Sequence, residues 1–158
     1  YPIMRRYATE MLEDFCRREG FTYKTTRTGG FNFTDPTKRA GRDEFSKLLA
    51  RAKVGISIGG GGFDTARFWE ILGNNCLLLT EKIAIFEEGS TELAYNRIHQ
   101  FENLIEFQAQ LKILGAVLRT SYDERNLLLE YQTILKNHGT VARVEKIIDH
   151  ARRAGIIM

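Results

Sequence analysis

Residues 55–73 read GISIGGGGFDTARFWEILG, and this stretch limits the possible folds more than any other in the chain. An apolar, β-branched run (VGISI, 54–58) meets four consecutive glycines and then a helix-forming segment from about Asp64 to Leu72. Glycine loses more conformational freedom on ordering than any other residue. Four in a row are therefore costly unless something must approach a bare backbone just where a helix begins. Next comes CLLLT (76–80), a continuous apolar strand of the kind buried on both faces of a parallel sheet.

The alternation extends in both directions. Residues 3–19 place Ile3, Tyr7, Met11 and Phe15 at spacing four, which predicts an amphipathic helix with those side chains on its apolar face, stopped by Gly20. FTYKTT (21–26) alternates aromatic and β-branched residues and predicts a strand. RTGGFNFTDPTKRAG (27–41) is a long loop, and such loops inside compact domains are usually functional or mobile. A helix is expected over 42–52 with Phe45, Leu48, Leu49 and Ala52 on one face. KIAIFEEG (82–89) is ambiguous, and a short strand is expected around Ile98. Three helices close the chain. They cover 103–118, then 121–137 with Leu127, Leu128, Tyr131 and Leu135 inward, then 140–154 with Val141, Val144, Ile147 and Ile148 inward. Helices alternating with strands over the first two thirds predict an α/β fold, a parallel sheet with helices on both faces. At 158 residues, with no linker or repeat, one domain is expected.

The glycine run matches neither standard nucleotide motif. The dinucleotide fingerprint G-x-G-x-x-G fails because Asp64 and Thr65 stand where the last glycine belongs, and no lysine follows as a P-loop demands. Its physics still favours an anion. Successive bare N–H groups leave a strand, Asp64 or Thr65 can cap the following helix, and the helix start carries the positive end of its dipole. Ligands of open α/β sheets bind at the carboxyl ends of the strands, where this loop belongs. Arg67, one turn into the helix, can clamp a phosphate, or it can be a solvated surface charge. Glu70, three residues on, shares its face. It lies roughly 8 Å along the axis from the cap, at about 1.5 Å per residue. A ribose attached to a diphosphate at the helix start would fall there, and a carboxylate suits its two hydroxyls. The plain alternative is a surface glutamate beside Arg67. Phe68, Ile71 and Leu72 are expected in the core, with Trp69 in the core or on a pocket wall.

Composition adds exclusions. The net charge of +3 is too small to argue for nucleic acid by itself. The basic cluster Lys38, Arg39, Arg42, Lys47, Arg51 and Lys53 reads first as a solvated face, with a nucleic-acid or partner-domain surface as the alternatives. No apolar run reaches the ~20 residues of a membrane span. Cys16 and Cys76 read as two reduced, buried thiols of a cytoplasmic protein. His99, His138 and His150 are scattered, no Cys/His set has zinc spacing, and no D-x-D or G-x-S-x-G occurs. No metal is expected. The chain opens on Tyr1 rather than methionine, which suggests a piece of a longer protein.

KVGISIGGGGFDTARFWEILGNNCLLLT resembles the donor-binding, C-terminal half of GT-B glycosyltransferases, closest to the group of spore-maturation glycosyl transferase-like proteins. There a strand leads to a glycine-bearing loop, then R-x-x-E on a helix, a small turn and an apolar strand. NHGTVARVEKII (137–148) is similar to that family's closing H-T-x-x-R segment, with His138, Thr140 and Arg143, and with Gly139 inserted. The resemblance spans roughly residues 43–150 and implies a Rossmann-like sheet holding a nucleotide-diphosphate sugar, without a metal. On it, Gly60, Gly61, Gly62, Phe63, Asp64, Thr65 and Arg67 hold the diphosphate, and Glu70 holds the ribose. The base falls against the loop around Gly30 and Phe31, where Phe31 or Phe33 either stacks on it or packs. Many relatives carry a second glutamate eight residues earlier, where this chain has Gly62. The acceptor site and the usual catalytic base would belong to a separate N-terminal half. The competing function is a non-catalytic module that binds a nucleotide or phosphorylated metabolite on the same scaffold.

Overall fold

The computed structural model describes residues 2–25, 42–59, 66–83 and 93–157. The chain divides into two compact units, Tyr1–Tyr122 and Asp123–Met158.

The first unit is built on a parallel sheet of three strands, β1 (Val54–Ser57), β2 (Leu77–Glu81) and β3 (Ile98–Phe101), in the order β1-β2-β3. Both pairings are parallel, with Gly55 opposite Leu78 and Leu78 opposite Ile98. The central strand follows from its sequence. Leu77, Leu78, Leu79 and Thr80 are all buried, so both sheet faces are covered at β2.

Among the described residues, four helices belong to this unit: α1 (Pro2–Glu19), α2 (Arg42–Arg51), α3 (Ala66–Leu72) and α4 (Leu104–Thr120). Side chains alternate along each strand, so Gly55, Leu78 and Ile98 share one face and Leu79, His99 and Phe101 the other. α3 covers the first face, where Ile71 presses on the bare Cα of Gly55. α4 covers the second through Phe107, whose ring meets Phe101 edge-on at 4.9 Å, and through Gln110, whose Oε1 lies 3.3 Å from His99 Nδ1. α4 starts sharply because the Asn103 side chain accepts from the N–H groups of Ile105 and Glu106, while the Glu106 carboxylate accepts from Glu102 N–H. α1 packs on α4, with the Phe15 ring over Gly115.

The strand expected at FTYKTT is absent from residues 21–25. Gly20 takes a φ of 74°, and Phe21 N–H turns back to Cys16 C=O at 2.9 Å. Phe21 then stacks on Phe15 with centroids 6.0 Å apart, completing a Schellman stop with its apolar contact. Arg119 covers the Phe21 ring, and the Thr25 hydroxyl donates to Glu13. Side chains that would have faced a sheet are spent on the helix behind them.

The expected apolar face of α1 is also turned. Ile3 and Tyr7 are exposed, whereas Ala8 and Cys16 are buried. Met4, Ala8, Leu12 and Cys16 form a second stripe at the same spacing, one residue round, and packing selects that edge of a wide apolar arc.

The second unit holds α5 (Glu124–His138) and α6 (Thr140–Arg153). Asp123 caps α5 by accepting from Arg125 N–H. On α5 the buried positions are Ile134 and His138, whereas Leu128 and Leu135, expected inward, are exposed. On α6, Val141, Val144 and Ile147 are exposed against expectation, and Ile148 is partly covered.

Other expectations hold. Phe68, Ile71, Leu72 and Leu49 are in the core, and both cysteines are buried without a disulfide. Burial pushes the Cys76 thiol up to about 11, partly offset by the nearby Arg97 cation. No described helix is long and apolar enough to cross a membrane.

Replacing Gly55 by Ala would put a Cβ 2.6 Å from Ile71 Cγ1 and Cγ2, in a core already filled. We expect a loss of about 1–3 kcal/mol from overpacking, read from urea unfolding midpoints. His99 supplies a pH test. Burial lowers its pKa below the ordinary 6.5, against the opposing effect of the Gln110 hydrogen bond. The unfolded chain thus binds the proton first. The contribution of His99 is full above the unfolded pKa and is lost as pH falls through the folded value. Unfolding midpoints measured from pH 7.5 to 5 should fall more steeply in the wild type than in His99→Gln.

Candidate functional site

Parallel strands all point their carboxyl ends to one edge, and in open α/β sheets that edge is where ligands bind. Here the ladder between β1 and β2 ends at the pair Ser57–Thr80, while β2 runs one residue further to Glu81. Ile58 and Gly59 therefore leave the sheet with backbone groups that no strand can satisfy. Charged side chains take them. Arg5 of α1 donates through one nitrogen, Nη2, to Ile58 C=O at 3.0 Å and Gly59 C=O at 3.1 Å. Gly59 N–H donates to the Glu81 carboxylate. The backbone where the glycine run begins is thus held from α1 on one side and from the tip of β2 on the other.

Of the residues expected to hold a diphosphate, Gly60 to Thr65 lie outside the described residues, as do Gly30, Phe31 and Phe33. Arg67 and Glu70 are described, and α3 brings them together. Arg67 Nη1 lies 3.3 Å from Glu70 Oε2, with the Arg67 side chain partly covered and Glu70 exposed. The Arg67 guanidinium carbon also lies over the Phe45 ring of α2, 3.8 Å from its centroid. The cation is therefore steered by an aromatic face and a carboxylate; the Arg67 side chain is half-buried with its Nη1 covered, while Glu70 stays exposed. Trp69 is partly covered, edge-on to Phe68 at 4.9 Å.

α3 ends in a built stop. Asn74 Nδ2 donates to Glu70 C=O at 2.7 Å, and Asn75 adopts a φ of 56°, which asparagine tolerates better than most residues. Asn75 Oδ1 then accepts from Arg97 Nη2 at 2.7 Å. Arg97 is fully buried at the entry to β3, and its C=O accepts from Leu78 N–H. Beside it, the Cys76 sulfur faces the carbonyl oxygens of Leu49, Ala52 and Asn74 at 3.2–3.6 Å. A thiol so buried and so reluctant to ionise is a packing group, not a nucleophile.

Sequence reasoning missed Arg5, Glu81 and Arg97. Glu81 had a weak signal, a carboxylate closing an apolar strand. Arg5 had none, because 53 residues separate it from Ile58. His138, named in the resemblance to the closing H-T-x-x-R segment, is the buried last residue of α5. Of the basic cluster, Lys47, Arg51 and Lys53 are exposed, and Lys53 Nζ lies 4.8 Å from the centroid of the Tyr122 ring. Among the described residues no group of three or more His, Cys, Asp or Glu is placed to hold a metal ion.

No protein-family model, no curated protein and no solved structure matches the chain.

The partly exposed Arg67–Glu70 pair should add little to stability. Glu70→Ala is expected to change the unfolding free energy by about 0.5 kcal/mol or less in urea titrations. That makes it a clean probe for ligand binding.

Proposed function

We propose that the first unit binds a nucleoside diphosphate, as the donor half of a glycosyltransferase that takes its sugar from a nucleotide-diphosphate sugar. The carrying observation is the juxtaposition at one edge of a parallel sheet. A glycine run follows β1 in the sequence, and α3 beyond it brings a half-buried cation, Arg67, and an exposed carboxylate, Glu70, together on one face. On this reading the sheet is Rossmann-like, and the N–H groups of Gly60–Thr65 receive the diphosphate. Arg67 stabilises the charge that grows on the leaving diphosphate as the glycosidic bond breaks. Glu70 accepts from the ribose hydroxyls. Binding would separate Glu70 from Arg67, so the diphosphate takes over the cation while the ribose takes over the carboxylate. The acceptor and the general base belong to a separate half, and the unit binds donor without turning it over alone.

The test is calorimetric titration with UDP, GDP, ADP and dTDP. One of the four is expected to bind in the micromolar range, and Glu70→Ala to weaken it by about 1–3 kcal/mol, as for a lost hydrogen bond to a charged group. Binding of none would remove the reading. Equal affinity for inorganic pyrophosphate and for the best nucleotide would favour the non-catalytic phosphometabolite module instead.

A further inference from the structure

α6 carries no buried residue along its whole length, Thr140–Arg153. Its apolar side chains are nevertheless ordered. Val141, Val144, Ile148 and Ala151 recur at spacings of three and four, and Ile147 adjoins them, which makes one stripe along the helix. Val141 is 71% exposed and Ile147 68%, so the stripe faces water rather than a core. It continues past the helix end. Gly155, at a φ of 69°, donates its N–H to Arg152 C=O at 3.0 Å, and Ile156 N–H donates to Ala151 C=O at 2.9 Å. That pair of bonds is a Schellman stop, which turns the residue after the glycine back over the last turn. In such a stop the returning residue usually meets an apolar partner. Ile156 stays 73% exposed.

The charge around this stripe has a sign. Arg143, Lys146, Arg152 and Arg153 stand against Glu145 and Asp149. Asp149 is already engaged by Arg152, Oδ1 to Nη1 at 3.7 Å. At about 100° per residue, Arg143 falls on one border of the stripe and Arg152, with Glu145, on the other. Arginine stems can lie along apolar surface while their guanidinium groups reach outward. We infer that α6 is an interfacial helix that lays its stripe on an anionic lipid surface, in the plane of the headgroups and without crossing. Charge and extent select this occupant. A second copy would set like-charged faces together. It would also need roughly 20–30 residues from each side for a stable interface, where the stripe offers Val141, Val144, Ile147, Ile148 and Ile156. A groove in an acidic protein favours a large aromatic anchor, and the stripe has none. A bilayer surface asks only for apolar area with cations around it. Lys146 and Arg153, on the far face, still lie within about a Debye length of it, roughly 8–10 Å, and add to the attraction. The surface belongs to the second unit and is independent of the nucleotide reading of the first.

Apolar contact and charge can be tested separately. A cation near an anionic bilayer contributes on the order of fivefold in affinity. The double variant Arg152→Gln, Arg153→Gln should therefore weaken binding on the order of tenfold or more. Asp149→Asn removes a negative charge from the same helix and should tighten binding, which a merely structural role for α6 would not produce. Val141→Asp spoils the stripe in the first turn, where the helix dipole favours a carboxylate, so the helix itself persists. Ile147→Asp spoils the stripe at its middle.

The experiment is co-sedimentation of the full chain with two kinds of vesicle, phosphatidylcholine alone and phosphatidylcholine with phosphatidylglycerol in equal parts. Circular-dichroism melting and light scattering are run on the same samples. The expected result is binding to the mixed vesicles that falls as salt is raised, little binding to the neutral ones, and loss of binding in Val141→Asp and Ile147→Asp at unchanged melting temperature. No binding to the mixed vesicles at low salt overturns the inference. Equal binding to both compositions does the same, as does binding untouched by Val141→Asp. A wild-type dimer that Val141→Asp converts to a monomer assigns the stripe to a second copy and also overturns it. Should Ile147→Asp not fold, Val141→Asp and the charge variants still decide.

Discussion

Everything in the first unit hangs on β2. Four successive residues, Leu77 to Thr80, are buried on both sides of the sheet, and burial on that scale is what orders the parallel ladder. A parallel pair cannot be closed by a tight turn, so each neighbour of β2 must arrive by a crossover. α3 makes the crossover from β1 to β2. It lies close because residue 55 is glycine. With no Cβ there, Ile71 rests directly on the β1 backbone. α4 closes the opposite face through Phe107 and Gln110, and α1 is held on α4 by Phe15 and by Arg119, which bonds Glu19 through both its backbone and its carboxylate.

The same ladder creates the candidate site by ending unevenly. β1 leaves the sheet one residue before β2 does, and the exposed backbone must be satisfied by something. Arg5 and Glu81 supply it. A similar solution operates at the other end of α3, where Arg97 and Asn75 meet and Asn74 closes the helix. Arg5, Glu81 and Asn74 each satisfy a backbone group with a side chain, whereas Arg97 and Asn75 bond side chain to side chain. Arg67 is guided in the same way, by the Phe45 face and by Glu70.

Much of the fold was legible in sequence. The apolar strand at 76–80, the short strand before the glycines and the strand around Ile98 all appear, within a residue or so at their ends. So do the helices from residue 42 onward, and Phe68, Ile71 and Leu72 in the core. The failures have specific causes. FTYKTT carries strand composition, but Gly20 throws Phe21 back onto Phe15 before a strand can begin. On α1 and α5 the helical period is right and the buried edge is shifted, while α6 has no buried residue. Two stripes one residue apart carry similar hydrophobicity, and a one-residue shift turns a helix face by about 100°. At the site, Arg67 and Glu70 were legible as a pair because they are three residues apart, while Arg5 was invisible because its contact crosses most of the unit.

Local sequence by itself determined most of the helices and strands, where α4 begins, and that a glycine run separates a strand from a helix. These are decided by spacing, capping residues and backbone freedom, all of which act within a few residues. Tertiary structure alone decided which edge of α1 and α5 is covered and which side chains hold Ile58 and Gly59. It also decided that Arg67 lies on Phe45. Those outcomes depend on contacts between residues far apart in the chain, and no local pattern records them.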